Sequence, residues 1–379
     1  MANRHKPLLA GLLLLLAWIT AGCTLGTGAK TIVIPDQPDE TAGGPPNRSF
    51  QVKTIYRIPV REQAQAGVFA WSGEERVLEL YWDSLRFPHL VRLEPPSYDK
   101  PEKLRDFDRS SGFVGGLSPD GRYACQMVPE KEGYAIRLVS STGQGEIAVD
   151  RVPSERGVVE SMAWSNNGRF FAYVAVRDDR YEIAVFDTQG GRLARYDWPD
   201  GAASFPVTMA KVSDDGRTAL LTTVGRSRYA FVWGSLGGGA FSELYAKELT
   251  DDAQADWASE DRLVFADGED GALKSYDRRN GELVVIRDRI RRFALSADKQ
   301  SIAYTTDDVT VEAAKLQGNT LRNETQIYQG IVPGFLMWSP SGGSLLVQGS
   351  KPYESSRQSV AAPAAPASDA LALIVRFQS

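Results

Sequence analysis

The residues able to do chemistry are few, and their spacing excludes more than it allows. His89 is the only histidine after Cys23, so a Ser-His-Asp hydrolase would have to use it. No Gly-x-Ser-x-Gly elbow accompanies it. A zinc site built from several His or Cys ligands has no residues to draw on. Neither a Walker loop nor a dinucleotide fingerprint occurs, so no cofactor and no metal are expected. Carboxylates stand together at Asp178-Asp179, Asp251-Asp252, Asp267 with Glu269 and Asp270, and Asp307-Asp308. They fall between apolar runs, where acidic residues serve as solvated turns, and none has calcium-loop spacing. General acid–base work by such a set is the catalytic alternative. A basic pattern runs through other connecting segments: Arg177 and Arg180, Arg226 and Arg228, and Arg287, Arg289, Arg291 and Arg292. Arginines gathered on one face suit an acidic peptide or carbohydrate. Asp178, Asp179 and Asp288 are interleaved with them and offer local charge balance instead.

Positioning these residues falls to a phrase that returns seven times. It is fullest in Leu117-Ser118-Pro119-Asp120-Gly121-Arg122, Trp164-Ser165-Asn166-Asn167-Gly168-Arg169 and Val212-Ser213-Asp214-Asp215-Gly216-Arg217. Weaker copies begin at Trp71, Trp257, Leu295 and Trp338. The anchor positions 72, 118, 165, 213, 258, 296 and 339 are 38 to 48 residues apart. A period of this length with strand-like flanks signals a β-propeller, one blade per repeat. Within the phrase, Pro or a polar residue opens a turn, Asp or Asn bonds local backbone, and Gly takes the left-handed conformation. A short inner strand precedes it (Glu160 to Trp164), a second follows (Phe170 to Ala175), and two more complete the unit (Tyr181 to Phe186, Arg192 to Tyr196). Each blade is therefore expected to hold four antiparallel strands. Trp71, Trp164, Trp257 and Trp338 share one place in their repeats, which favours packing between blades over sugar stacking.

The fold class expected is all-β, a seven-bladed propeller over residues 50–379. The last unit offers an inner strand at Phe335 to Trp338, a second at Ser344 to Gln348 and a third at Leu371 to Phe377, but no fourth. Phe50 to Ile58 belongs to no complete unit, so it is expected to pair with Leu371–Phe377 and close the ring. Residues 350–369, with Val360-Ala361-Ala362-Pro363-Ala364-Ala365-Pro366-Ala367, are low-complexity sequence between two strands of that blade, either a channel lid or an inert insertion. Cys125, inside an apolar strand, reads as a buried small hydrophobe.

The N-terminus has a different character. Arg4 and Lys6 precede the 12-residue apolar run from Leu8 to Ile19, too short for a comfortable membrane span but suited to a signal-peptide core. The run ends in Thr20-Ala21-Gly22-Cys23, which resembles the lipobox of bacterial lipoproteins. That resemblance implies cleavage after residue 22, lipidation of Cys23, and residence outside the cytoplasm on a membrane. Thr24 in place of Asp carries no signal for inner-membrane retention, so a cell with two membranes would hold the protein on the outer one. Residues 23–49, rich in Gly, Pro, Thr and Asp, are expected to be a tether. Loss of Arg4 and Lys6 takes the net charge from −5 to −7, which argues against nucleic acid as a partner.

The Trp-Ser-Pro-Asp-Gly phrase followed by an apolar strand and Tyr-x-Ile/Phe resembles the repeats of TolB-type (WD-like) propellers. The resemblance spans Phe50 to Phe377 and is strongest from Gly116 to Phe231. It implies an extracytoplasmic binding scaffold. The same repeat also occurs in propeller domains of prolyl-oligopeptidase-type enzymes, so it identifies a fold and not an activity. TolB itself has six blades and an additional α/β domain, and its partner does not transfer. The leading expectation is a non-catalytic scaffold binding an envelope protein or acidic ligand. A carbohydrate-binding or carbohydrate-processing propeller using channel-mouth carboxylates is the alternative.

Overall fold

The computed structural model describes residues 31–33, 49–58, 65–96, 98–107, 112–143, 145–153, 158–177, 180–202, 206–224, 229–249, 254–267, 271–352 and 370–378. Cys23, Arg226, Arg228 and most of the 350–369 segment lie outside them.

Two strands precede the first blade, β1 (Thr31–Val33) and β2 (Val52–Ile58). Blade 1 is β3 (Gln65–Trp71), β4 (Val77–Trp82), β5 (Pro88–Leu93) and β6 (Glu102–Asp106). Blade 2 is β7 (Phe113–Leu117), β8 (Tyr123–Glu130), β9 (Gly133–Ser140) and β10 (Glu146–Pro153). Blade 3 is β11 (Val158–Trp164), β12 (Phe170–Arg177), β13 (Arg180–Asp187) and β14 (Arg192–Ala202). Blade 4 is β15 (Val207–Val212), β16 (Thr218–Val224), β17 (Tyr229–Gly237) and β18 (Ala240–Leu249). Blade 5 is β19 (Gln254–Ser259), β20 (Arg262–Asp267), β21 (Ala272–Asp277) and β22 (Glu282–Arg287). Blade 6 is β23 (Phe293–Leu295), β24 (Ser301–Thr305), β25 (Thr310–Gln317) and β26 (Thr320–Gln329). Blade 7 is β27 (Val332–Trp338), β28 (Ser344–Ser350) and β29 (Ala370–Phe377), completed by β2. Tyr56 opposes Ile374 and Ile58 opposes Ala372, so the ring closes with the N-terminal strand as outer edge. Phe50 wedges between Trp338 and Phe377, at ring distances of 5.9 and 5.6 Å.

The repeated phrase proves to be a hydrogen-bonded bracket. The Ser118, Ser165, Ser213, Ser296 and Ser339 side chains are all buried. In the first four, the hydroxyl donates to the Asp or Asn two residues on: Asp120 (2.6 Å), Asn167 (2.7 Å), Asp215 (2.6 Å) and Asp298 (2.5 Å). Each also accepts the amide five residues on, from Tyr123, Phe170, Thr218 and Ser301, at 2.9 to 3.0 Å; Ser339 accepts that of Ser344. The left-handed turn position is held by Gly121, Gly168, Gly216 and Gly342 at φ of 68 to 75°, and in blade 6 by Lys299 at 61°.

Neighbouring blades are joined by matched polar contacts across an apolar seam. The Trp71 and Trp338 indoles donate to the Met337 and Ala294 carbonyls of the preceding inner strands. Two buried tyrosines make analogous clasps of opposite polarity. Tyr173 donates to Asp150 of the previous blade, which Arg195 of its own blade also binds. The single Tyr304 phenol proton is shared between Glu324, the nearer, and Glu312 of its own blade, and Glu324 meets Arg287 of the previous one. Burial is the first cause holding both phenols well above their ordinary pKa, followed by the adjacent carboxylates.

Removing one bracket tests its weight. Ser165→Ala strands the buried Phe170 amide and should cost about 1–3 kcal/mol, read as a lowered urea midpoint with unchanged m-value. A loss below about 0.5 kcal/mol, the size of an ordinary surface change, would contradict the bracket's role.

Candidate functional site: the axial channel

First strands of successive blades lie beside one another around the axis, so their solvent-facing side chains line the channel. In blades 1, 3, 4 and 7 the inner strand breaks register five residues before its anchor serine, at Gly67, Glu160, Thr208 and Gly334. A bulge there re-aims the side chain that follows. Val68, Met209 and Phe335 occupy that next position and are 37, 37 and 38% exposed. Phe113 (53%) and Val332 (37%) stand at the same end of their inner strands. Five large apolar side chains, from blades 1, 2, 4 and 7, thus stand at the mouth end opposite the hairpin turns. In blade 6 the matching positions hold Arg291 and Arg292, and in blade 5 Gln254.

The preceding blade satisfies inner-strand amides near the mouth, two of them beside the blade 4 bulge. The Val207 amide donates to Glu160 Oε2 (2.8 Å), the Ala210 amide to Ser161 Oγ (2.9 Å), and the Phe293 amide to Gln254 Oε1 (3.0 Å). Glu160 is therefore a carboxylate at the mouth already engaged in structure, and it faces the Tyr181 phenol. Burial first, then Glu160, raises that phenol to about 12.

The turn end of the channel is charged. Two residues before the anchor, where other blades carry Ala, Gly or Met, blade 4 has Lys211 and blade 5 has Asp256. Lys211 Nζ lies 3.0 Å from Asp256 Oδ2, and Asn166 Nδ2 reaches across from the blade 3 turn to Asp256 Oδ1 at 2.9 Å. Burial alone would raise the Asp256 pKa. Lys211 and Lys299 outweigh it, with the Asn166 bond assisting, and hold the carboxyl below its usual range. The channel thus has an apolar mouth and a charged cluster crossing its far end.

Among the sequence-derived candidates, Arg180 is exposed at the start of β13, and Arg177 ends β12 with its side chain outside the described residues. Arg289 is exposed at φ 61°, in the segment joining blades 5 and 6. Arg291 pairs with Asp308, and Arg292 receives structure through its amide, which donates to Thr305 Oγ1 (3.1 Å). Arg287 belongs to the Tyr304 clasp. Arg291 and Arg292 flank the mouth, whereas Arg180 sits three blades away on the same face. Asp307 accepts the Val309 and Thr310 amides as a turn residue. His89 is held at both ring nitrogens, by Asp106 (2.9 Å) and Asp83 (3.2 Å), and stacks on Tyr81. Cys125 is buried beside Met162, and burial pushes its thiol well up. Among the described residues no group of three or more His, Cys, Asp and Glu side chains is placed to hold a metal ion. Reading the repeats as columns exposes the site: one column collects Val68, Met209, Arg292 and Phe335, another Lys211 and Asp256.

No model of a known protein family matches the chain. The uncharacterized protein Atu1656 of Agrobacterium fabrum is 28% identical over 230 residues, covering 58% of this chain and 70% of that protein. Among solved structures, an oligogalacturonate lyase in complex with manganese superposes with a TM-score of 0.57 at 10% identity, over 87% of this chain and 96% of that one. The likeness is one of fold, and it agrees with the seven-bladed propeller.

Asp256→Asn should destabilise the protein by about 3–5 kcal/mol at pH 7, because Lys211 is left without its counter-charge. The folded state lowers the Asp256 pKa. Its contribution is therefore complete above the unfolded value of about 4 and is lost as pH falls through the lowered folded value. Urea unfolding should show the gap between wild type and variant closing on acidification; a gap constant from pH 7 to about 3 would contradict this linkage.

Proposed function

We propose that the protein is a membrane-anchored extracytoplasmic lipoprotein, held by lipid on Cys23, whose propeller is a non-catalytic scaffold binding an envelope protein at the channel mouth. The observation that carries the reading is the apolar rim. Val68, Phe113, Met209, Val332 and Phe335 are exposed together on innermost strands, and grouped exposure of large apolar side chains marks an interaction site. Arg291 and Arg292 beside them suit a partner segment that presents an apolar side chain next to an acidic one. Rigid walls and variable mouth residues are what a scaffold needs, since little ordering is lost on binding.

A second reading, carbohydrate binding or processing, draws on two observations: the exposed Phe113 and Phe335 rings and the fold likeness to an oligogalacturonate lyase. Glu160 is the mouth carboxylate such chemistry would use, and its bond to the Val207 amide ties it to the scaffold.

Pulldown of the tagged full chain from detergent-solubilised membranes separates the readings. Phe113→Asp with Phe335→Asp should lose a stoichiometric protein partner by at least about tenfold, the effect of 1.4 kcal/mol, while Glu260→Lys on the turn face keeps it. Absence of any stoichiometric partner, or capture indifferent to the rim, overturns the scaffold. Saturable oligogalacturonate binding in calorimetry, lost in Phe113→Ala, would select the second reading. Cys23→Ala should move the protein to the soluble extracytoplasmic fraction; retention on membranes contradicts lipidation.

A further inference from the structure

The outer edge of blade 5 differs from the other six. Among outermost strands, β6, β10, β14, β18, β26 and β2 all place charged residues between their first and last positions, such as Asp150 and Arg151, Glu243 and Lys247, or Arg322 and Glu324. Charge within an edge strand deters pairing with other chains. In β22 the residues between Glu282 and Arg287 are Leu283-Val284-Val285-Ile286, with no charge at all. An edge of this composition is a template awaiting a strand.

The strand present there comes from the chain's own N-terminal segment. β1 pairs in parallel with β22, Thr31 opposite Leu283, Ile32 opposite Val284 and Val33 opposite Val285. Thr31-Ile32-Val33-Ile34 is a run of β-branched residues in an otherwise Gly- and Pro-rich stretch, ended by Pro35. Strand propensity and an uncharged edge therefore agree with the observed pairing.

The direction of this pairing has a consequence for orientation. Inner strands run from the mouth to the turns, so the fourth strand of a blade returns toward the mouth. β22 starts after the turn at Arg278 to Gly281 and ends at Arg287 near the mouth. Being parallel to it, β1 begins at the turn end. Cys23 lies eight residues upstream of Thr31, a reach of at most roughly 29 Å at about 3.6 Å per residue. We infer that the outer edge of blade 5 docks the N-terminal segment, so that the hairpin-turn side of blade 5 faces the membrane and the apolar mouth points away from it, toward a partner. The orientation rests on the lipid-anchor reading; the docking does not.

Two measurements on the full chain keep these apart. In phosphatidylethanolamine/phosphatidylglycerol vesicles containing a headgroup quencher, fluorophores are placed at the two ends of blade 5, through Glu260→Cys at the turn end and Asp288→Cys at the mouth end. The turn-end probe should be quenched at least about threefold more. Ile32→Pro combined with Val33→Pro, which removes whichever of the two successive amides faces β22, should abolish the difference while the protein stays on the vesicles. Equal quenching in the membrane-bound wild-type background overturns the orientation. In the Cys23→Ala chain, amide exchange across residues 282–287 should quicken at least about tenfold on adding Ile32→Pro with Val33→Pro, and unchanged exchange overturns the docking. A chain that fails to partition onto vesicles but shows the exchange effect refutes the anchor and the orientation with it, leaving the docking supported.

Discussion

A buried seryl hydroxyl at the end of the inner strand is the interaction on which the ring depends. Buried away from water, it needs a donor and an acceptor at once. It finds them in the Asx carbonyl two residues on and the amide five residues on, as at Ser165 with Asn167 and Phe170. One backbone geometry satisfies both, so the turn has a fixed length and the second strand a fixed start. Counting back from that point, the residue two places earlier always lies near the turn end of the channel and the residue four places earlier near the mouth. In blades 2, 3, 4, 6 and 7 the depth of the channel-lining side chains is thereby set by a bond that contributes nothing to the channel surface, whereas blade 5, with Ala258 at the anchor, keeps the same register without it.

Assembly of the ring uses what each blade leaves incomplete. Bulges near the mouth free amides such as that of Val207, and the preceding blade answers with Glu160. The same logic closes the circle. Blade 7 lacks an outer strand until β2 arrives, pairing residues more than 300 positions apart in sequence. Contacts of such separation are slow to form, which makes the last blade dependent on both ends of the chain. The tyrosine clasps add a polar check on blade order: Asp150–Tyr173–Arg195 and Arg287–Glu324–Tyr304 place the cation on opposite sides of their seams.

Blade count, strand order and ring closure were legible in the sequence because they rest on local chemistry. Ser-Pro-Asp-Gly states its turn wherever it occurs, and a spare strand at Phe50 to Ile58 implies a blade in want of one. The Trp71 and Trp338 positions were likewise readable as inter-blade packing. The channel was harder to see because its lining is a relation between blades. Asp256 looks like a solvated acid until Lys211 and Asn166 are brought to it across two neighbouring repeats. Val68, Met209 and Phe335 look like ordinary strand residues until the bulge before each turns it outward. The arginines showed the converse: Arg291 and Arg287 stood out as charges, yet acidic partners waited in the next blade's folded neighbourhood, Asp308 in the bend between β24 and β25 and Glu324 on β26. β1 was hidden for a different reason, since three β-branched residues are too few to mark a strand without the uncharged edge that receives them.

The two ends of the channel differ in what water does there. At the turn end, Asp256 keeps its charge despite burial because lysines and an amide replace its hydration. Such a cluster resists insertion of any group that cannot match those bonds. At the mouth, water covers apolar surface that gains by being covered, about 25 cal/mol per Å² removed from solvent. A ligand entering along the axis therefore meets an attractive rim and an unyielding base. That asymmetry favours an occupant that lies across the mouth and inserts one apolar side chain, over one that threads through the ring. It also explains why the rim can vary between blades at little cost to the fold. The bracket and the floor hold the wall, so the residue after the bulge can differ in blades 1, 4 and 7, whereas in blade 3 it is the buried Ser161, which accepts the Ala210 amide.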